Sequence, residues 1–197
     1  MVDSWASDID NHKLVGILLI DFRKVFDLVN HEILLSKLKL YKCSDHCISL
    51  FSAYLSNRFQ YTLFGGQLSS SAPMSVGVPQ GSIFGPLLFL IYVNDLHLVS
   101  NVSSCHMFAD DSTFCTSSHN LDEVELNLTS DLSHISQWCS KNQMSLHLGK
   151  TKSVLLTTHQ KRPHLSKQSL NISLSGVNVE CVKSAKLLGI TVNDNLS

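Results

Sequence analysis

Two adjacent carboxylates, Asp110 and Asp111, stand between the short apolar runs Cys105-His106-Met107-Phe108-Ala109 and Thr113-Phe114-Cys115. Both runs have strand character, so the spacing predicts a hairpin with the acids at or near its tip. Carboxylates held this close repel each other and call for a compensating cation. Asp is also common in turns for local hydrogen-bonding reasons, so a solvated acidic turn is the plain alternative. A third carboxylate and a place for a substrate would decide between the two. Asp21 is one candidate: it abruptly ends the apolar run Leu14-Val15-Gly16-Ile17-Leu18-Leu19-Ile20. Such a run predicts a strand buried on both faces, and the C-terminal ends of buried strands commonly present groups to ligands. Asp21 could equally end the strand and do nothing else. The second candidate is Gly77-Val78-Pro79-Gln80-Gly81-Ser82-Ile83-Phe84-Gly85-Pro86. Its glycines can bring backbone close to a ligand, and Pro86 suits the first turn of a following helix. A tight loop without a ligand fits the same residues.

The elements around these groups read as a mixed α+β chain. Residues 1–13 carry little signal beyond Trp5 and Ile9. A helix is expected within Asp27–Tyr41, with Ile33, Leu34, Leu38 and Tyr41 at helical spacing and Asn30 as its N-cap. A second is expected from Asp45, with Ile48, Phe51 and Leu55 on one face. Arg58–Phe64 reads as a strand, Gly65-Gly66 as a turn, and Ser75–Val78 as the end of a returning strand. From Pro86 to about Leu98 the chain is apolar nearly all round, which predicts a buried helix. Asn120 followed by Glu123 resembles a capping box. Beyond it Val124, Leu128, Leu132, Ile135 and Trp138/Cys139 form the stripe of an amphipathic helix. Strands are expected at Met144–Leu148 and Ser153–Thr157, and around Ile172 and Val177–Val182. The apolar run Lys186–Val192 follows, and 158–169 reads as a polar loop. Gly149-Lys150-Thr151 is not a phosphate loop, because position 144, where its upstream glycine would stand, is Met.

Composition narrows the classes. The chain has 197 residues, 44% hydrophobic and 16% charged, enough for one globular domain with a real core. A net charge of -1 argues mildly against a strongly basic nucleic-acid-binding module, although 150–167 is locally basic. No CxxC pair occurs among Cys43, Cys47, Cys105, Cys115, Cys139 and Cys181, so a reduced intracellular setting is the default. Cys43, His46 and Cys47 lack a second cluster to complete a zinc site. The longest apolar stretch falls far short of the ~20 residues that span a membrane, and no membrane partner is expected.

The order and spacing of these pieces resemble the palm of reverse transcriptases, above all those of non-LTR (LINE-like) retrotransposons. The matching residues are Asp21-Phe22-Arg23-Lys24-Val25-Phe26-Asp27 with His31, then Tyr54-Leu55-Ser56-Asn57-Arg58-Phe59-Gln60 and Gly77–Pro86. Tyr92-Val93-Asn94-Asp95-Leu96 and Phe108-Ala109-Asp110-Asp111 follow, then Trp138, Lys150-Thr151 and Leu187-Leu188-Gly189. The resemblance covers nearly the whole chain.

It implies one palm domain over 1–197: a ferredoxin-like βαββαβ antiparallel sheet with helices on one face. It implies an RNA-directed DNA polymerase that uses an RNA template, a DNA primer and deoxynucleoside triphosphates. Asp21, Asp110 and Asp111 would be the catalytic acids. With the main-chain carbonyl of Phe22 they would bind two magnesium ions about 3.5–4 Å apart, manganese being the alternative ion. Phe26 would pack under the deoxyribose and exclude a 2′-hydroxyl, a role compatible with that of a core aromatic. Gln80 and Gly81 would meet the incoming nucleotide, and Lys150 would help neutralise the pyrophosphate. The chain departs from the family at Val25, where a small Ala is usual, at Phe84, where Leu is usual, and at His147, where Asn is usual. The first two add bulk beside the site, which costs ~1–3 kcal/mol unless packing relieves it. Fingers and thumb segments are expected to lie outside the chain. The alternative function is therefore a non-catalytic retrotransposon remnant, or a nucleic-acid or protein interaction module.

Overall fold

The computed structural model describes residues 1–158, 160, 165 and 169–194. The first elements in chain order are α1 (Val2–Asp10), β1 (Leu14–Ile20), α2 (His31–Leu40), α3 (Asp45–Leu55), β2 (Phe59–Gln60), β3 (Leu63–Phe64), β4 (Gln67–Leu68) and β5 (Ala72–Pro73). They are followed by α4 (Phe84–Val93), a 3-10 helix (Asn94–Val99), β6 (Ser104–Phe108), β7 (Asp111–Ser118), α5 (Leu121–Lys141) and β8 (Lys152–Leu156). Last come β9 (Ser173–Leu174), β10 (Val177–Asn178), β11 (Glu180–Cys181), β12 (Ser184–Leu187) and β13 (Ile190–Asn193). The chain forms two compact units. The first comprises Met1–Arg23, Asp95–Lys141 and Ser145–Ser197, and the second Lys24–Asn94 with Asn142–Met144.

The first unit is built on a five-stranded sheet of order β11-β8-β1-β7-β6. β1 pairs antiparallel with both β7 and β8, β6 pairs antiparallel with β7, and only β11 runs parallel to its neighbour. Taken as β1, β6, β7, α5, β8, these elements follow the ferredoxin-like plan. β1 is the middle strand, and its continuous apolar run is buried at every position but Leu19. Its two faces meet different partners, since alternate side chains point to opposite sides. Gly16 faces α5, where Val124 and Leu128 come so close that no side chain would fit between. Val15 and Ile17 face the other way and join Trp5 of α1, Cys115, Val154, Leu156 and Leu187 in one cluster. The stripe expected on α5 is buried as a whole: Val124, Leu128, Leu132, Ile135, Trp138 and Cys139. Asn120 accepts from the Asp122 amide at its N-terminus, while Glu123 meets the Ser118 hydroxyl rather than closing a capping box.

The second unit packs α2 against α3 and α4. Asn30 caps α2 as expected, accepting from the Ile33 amide at 3.0 Å, and Ser44 caps α3. Lys37 is buried here because its ammonium donates to the Tyr92 carbonyl at 2.6 Å and lies over the Tyr92 ring.

Within residues 1–13, which carry little signal in sequence, Val2–Asp10 form α1, whose one buried side chain is Trp5. Four expectations are corrected. Arg58–Phe64 is not one strand. It breaks into β2 and β3, paired with β5 and β4, because its apolar side chains stand exposed with no larger sheet to join. The returning segment pairs at Ala72–Pro73, and Val76 makes only an isolated bridge to Asn30. Met144–Leu148 likewise contributes a single bridge, Leu146 to Phe22. The apolar helix begins at Phe84, gives way to a 3-10 helix at Asn94, and leaves Leu87 and Leu90 each 47% exposed rather than buried all round. The polar loop at 158–169 falls largely outside the described residues.

Candidate active site

Backbone pairing brings the three acids to one end of the sheet in the first unit. In the β1–β7 register Ile20 faces Ser112, so the next step sets Asp21 across from Asp111. Cross-strand partners share a face, which puts both carboxylates on the side away from α5. Phe108 pairs with Asp111, leaving Ala109 and Asp110 as a two-residue turn. Ala109 has a φ of 53°, a left-handed conformation that two-residue hairpin turns demand and that Gly usually supplies.

Asp21 follows the last residue of β1 and is held by its backbone from both sides. Its carbonyl accepts from the His147 amide at 2.8 Å, and its amide donates to the Thr151 hydroxyl at 3.3 Å. The Thr151 hydroxyl in turn donates to the His147 carbonyl at 3.2 Å. The Phe22–Leu146 bridge is made by the neighbours of Phe22: Arg23 donates to the Ser145 carbonyl at 2.8 Å, and Asp21 accepts from His147. The Phe22 carbonyl is therefore not one of the groups this bridge uses. The Phe22 ring is buried against Trp138, with centroids 6.5 Å apart, and the Trp138 indole donates to Asp95 at 3.1 Å.

The acids sense one another. Asp111 has its carboxyl pKa raised, first by partial desolvation and then by the negative charges of Asp110 and Asp21. Among the described residues no three His, Cys, Asp or Glu side chains stand close enough to enclose a metal ion by themselves. Asp21 and Asp111 line a cleft of about 270 Å³ together with Lys150, Lys152 and Lys186. Lys150 and Lys152 lie in the locally basic 150–167 stretch, whereas neither Lys186 nor the part played by Thr151 in holding Asp21 has a local signal in sequence. Lys186 meets the other two only because β8 and β12 come together.

The remaining candidates belong to the second unit. The Phe26 ring is half-buried, 4.9 Å from that of Phe89. Gly77 has a φ of 89°, and a Cβ there would stand about 3.0 Å from the Asp27 backbone. That close approach lets Gly77 donate to the Val29 carbonyl and Val78 to the Phe26 carbonyl. His31 bonds the Gly77 carbonyl at 2.7 Å, and the Gln80 amide donates to Asp27 at 3.0 Å. Gly81 is exposed, with open space where a side chain would be. The bulk of Phe84 is absorbed by edge-on contacts with Phe51 and Tyr54.

The fold resembles solved telomerase structures from Candida tropicalis. An apo telomerase truncated from its C-terminal domain gives a TM-score of 0.66 at 14% identity, over 100% of this chain and 38% of that one. A telomerase in complex with a fragment of telomeric RNA gives 0.60 at 11% identity, over 91% and 31%. In sequence, the chain is 28% identical over 195 residues to the probable RNA-directed DNA polymerase from transposon BS of Drosophila melanogaster. It is 26% identical over 191 residues to the RNA-directed DNA polymerase from mobile element jockey of the same fly. These matches cover 95% and 93% of the chain but only 21% and 20% of the relatives, so the chain spans about a fifth of their length. The family model for reverse transcriptase (RNA-dependent DNA polymerase) matches residues 5–192. With the palm-type sheet and its acidic hairpin already in view, that match establishes that the chain belongs to the reverse transcriptase family.

Proposed function

We propose that the chain is the catalytic palm of an RNA-directed DNA polymerase, which extends a DNA primer on an RNA template with deoxynucleoside triphosphates. The observation that carries this reading is the β1–β7 register, which sets Asp21 beside Asp111 with Asp110 in the adjoining turn. The descriptions of the retrotransposon relatives agree with it. The donor set is carboxylate and carbonyl oxygen, the chemistry that Mg²⁺ and Mn²⁺ prefer. Such an ion commonly takes only one or two carboxylates and completes its shell with water and substrate phosphates, so the acids need not enclose it unaided. Asp21, Asp110, Asp111 and the Phe22 carbonyl would hold two such ions, whose charge would assist primer hydroxyl ionisation and pyrophosphate departure.

The chain's own groups then position and discriminate. Asp111 holds its proton more tightly than an ordinary carboxyl. A bound cation must compete with that proton, so metal affinity rises with pH. The Phe26 ring would lie under the sugar and reject a 2′-hydroxyl by steric overlap. Gln80, held by Asp27, and the unobstructed Gly81 would meet the nucleotide and its template partner. Lys150 would offset charge on the pyrophosphate.

Two measurements test the reading: Mn²⁺ binding followed by electron paramagnetic resonance, and magnesium-dependent primer extension on an RNA template. Asp110→Ala should weaken the first at least about tenfold and abolish the second. Unchanged Mn²⁺ binding and extension in this variant would refute it. Phe26→Val should increase ribonucleotide incorporation relative to deoxynucleotide.

A further inference from the structure

The hairpin between α3 and α4 is an arm without a core of its own. β2 and β5 pair near its base, β3 and β4 near its tip, and Gly65-Gly66 turn the chain between them. Met74 donates to the Arg58 carbonyl at 2.8 Å where the arm joins its unit. Every residue from Phe59 to Pro73 is exposed. Strand alternation nevertheless sorts the side chains by type. Cross-strand partners share a face, so Phe59 lies with Pro73 and Leu63 with Leu68. Tyr61, midway between Phe59 and Leu63, falls on that same face. The opposite face takes Gln60, Thr62, Gln67 and Ser69, and its one large apolar residue is Phe64 beside the turn. An antiparallel sheet commonly packs its apolar face and wets the other. Here the apolar face is open: Phe59, Tyr61, Leu63 and Leu68 are 58%, 57%, 69% and 65% exposed. A two-stranded hairpin bare on both sides is marginal in water, and a layer against one face stabilises it.

Charge selects what that layer is. From Phe59 to Asn94 the chain contains no Asp, Glu, Lys, Arg or His. Arg58, at the base, is already engaged: its guanidinium lies 4.3 Å from the centre of the Tyr54 ring and donates to the Tyr54 carbonyl at 2.6 Å. A nucleic-acid backbone needs cations along its path, and a charged protein face would bury ions without partners. A second copy of the same face brings neither. A surface that meets itself about a two-fold axis also needs no separate complementary patch. The size is sufficient: each of the five side chains leaves on the order of 100 Å² open, so two copies would cover about 1,000 Å², the lower bound for a specific interface.

We infer that the chain self-associates through this arm, the faces of two copies formed by Phe59, Tyr61, Leu63, Leu68 and Pro73 stacking as a four-stranded sandwich about a two-fold axis. Packed sheets stand about 10 Å apart, which lets rings and leucines of the two copies interdigitate. A patch of this size gives a dissociation constant in the roughly micromolar range. The inference is independent of the nucleotidyl-transfer reading.

Sedimentation velocity of the chain from about 1 to about 100 µM tests it, with a reversible monomer–dimer equilibrium expected. Leu63→Glu sets a carboxylate without a counter-charge into the contact and should weaken dimerisation at least about tenfold. Gln60→Glu adds the same charge to the opposite face of the arm and should leave the equilibrium unchanged. Both positions are exposed, so both variants should fold, which far-UV circular dichroism checks. Added salt should leave the dimer intact or tighten it, since no ion pair holds it. A chain that stays monomeric over the whole range would overturn the inference, as would a dimer weakened equally by both variants or by neither. Dissociation by salt would overturn it too. So would single-stranded RNA binding that Leu63→Glu abolishes while the chain stays monomeric, because the face would then serve nucleic acid.

Discussion

Replacing Gly16 with alanine tests the packing that holds the strand leading to Asp21. A Cβ at this position would stand 2.3 Å from the Val124 Cγ1 and 2.8 Å from the Leu128 Cδ1. Carbon atoms prefer about 3.5–4.0 Å, so helix and strand must part by roughly 1 Å or a side chain must leave its place. Val124 cannot easily do so, since a β-branched residue in a helix has essentially one rotamer. Overpacking of this kind costs about 1–3 kcal/mol. The backbone at Gly16 is an ordinary strand conformation, so alanine recovers about 0.4–1 kcal/mol by restricting the unfolded chain. The net expectation is a loss of about 1–2 kcal/mol, or ~2–8 °C in melting temperature for a chain of this length. Thermal and urea unfolding followed by circular dichroism measure it. Val124→Ala alone removes two methyl groups from a fully buried site and should cost about 2 kcal/mol. In the double variant the new methyl occupies the vacated space, so the combined loss should fall short of the sum by about 1 kcal/mol or more. Melting of Gly16→Ala within about 1 °C of the parent, or strict additivity in the cycle, would refute the described β1–α5 contact.

Further outcomes follow from the site and its supports. The folded-state pKa of Asp111 is raised, so the folded chain binds that proton more tightly than the unfolded chain. The resulting penalty is absent well below the ordinary value of 3.8, grows as pH rises, and is complete above the raised folded value. Asp111→Asn should therefore stabilise the chain near neutral pH by ~0.2–1 kcal/mol, a small gain because the group is exposed and screened. Melting curves from pH 3 to 8 check this, and an equal gain at the acid end would contradict it. Thr151→Val removes a fully buried hydroxyl that accepts from Asp21 and donates to His147, and should cost about 1–3 kcal/mol in urea unfolding. Thr151→Ser, which keeps the hydroxyl, should recover most of that loss. Asn30→Ala removes the α2 cap and should cost about 1 kcal/mol, while Asn30→Asp retains it.

Much of the fold was legible because the strongest signals are local. β1 could be read from an unbroken apolar run, α2 from its capping Asn30, α5 from a stripe at helical period, and the acidic hairpin from two short strands around a turn. Where reading failed, the missing information was tertiary. The helix at Val2–Asp10 carries few apolar residues and is tied down by Trp5, which finds its partners on strands far along the chain. Arg58–Phe64 looks like a strand by composition, but a strand that long needs a neighbour, and here only two-residue ladders form. The apolar run after Pro86 predicts burial, yet sequence cannot say which face of a helix is covered, and Leu87 and Leu90 are not.

Residue order alone determined the family, the acidic residues and the elements that carry them, because each rests on residue type and short-range spacing. Only the tertiary structure decided that β1 and β7 align in the register that faces Asp21 with Asp111. The side chains of β1 are apolar along its whole length, and a one-residue slip would move every one of them to the wrong face of the sheet. It also decided that Lys150, Lys152 and Lys186 share one cleft with those acids, since lysines from separate elements meet only after the sheet has brought β8 and β12 together.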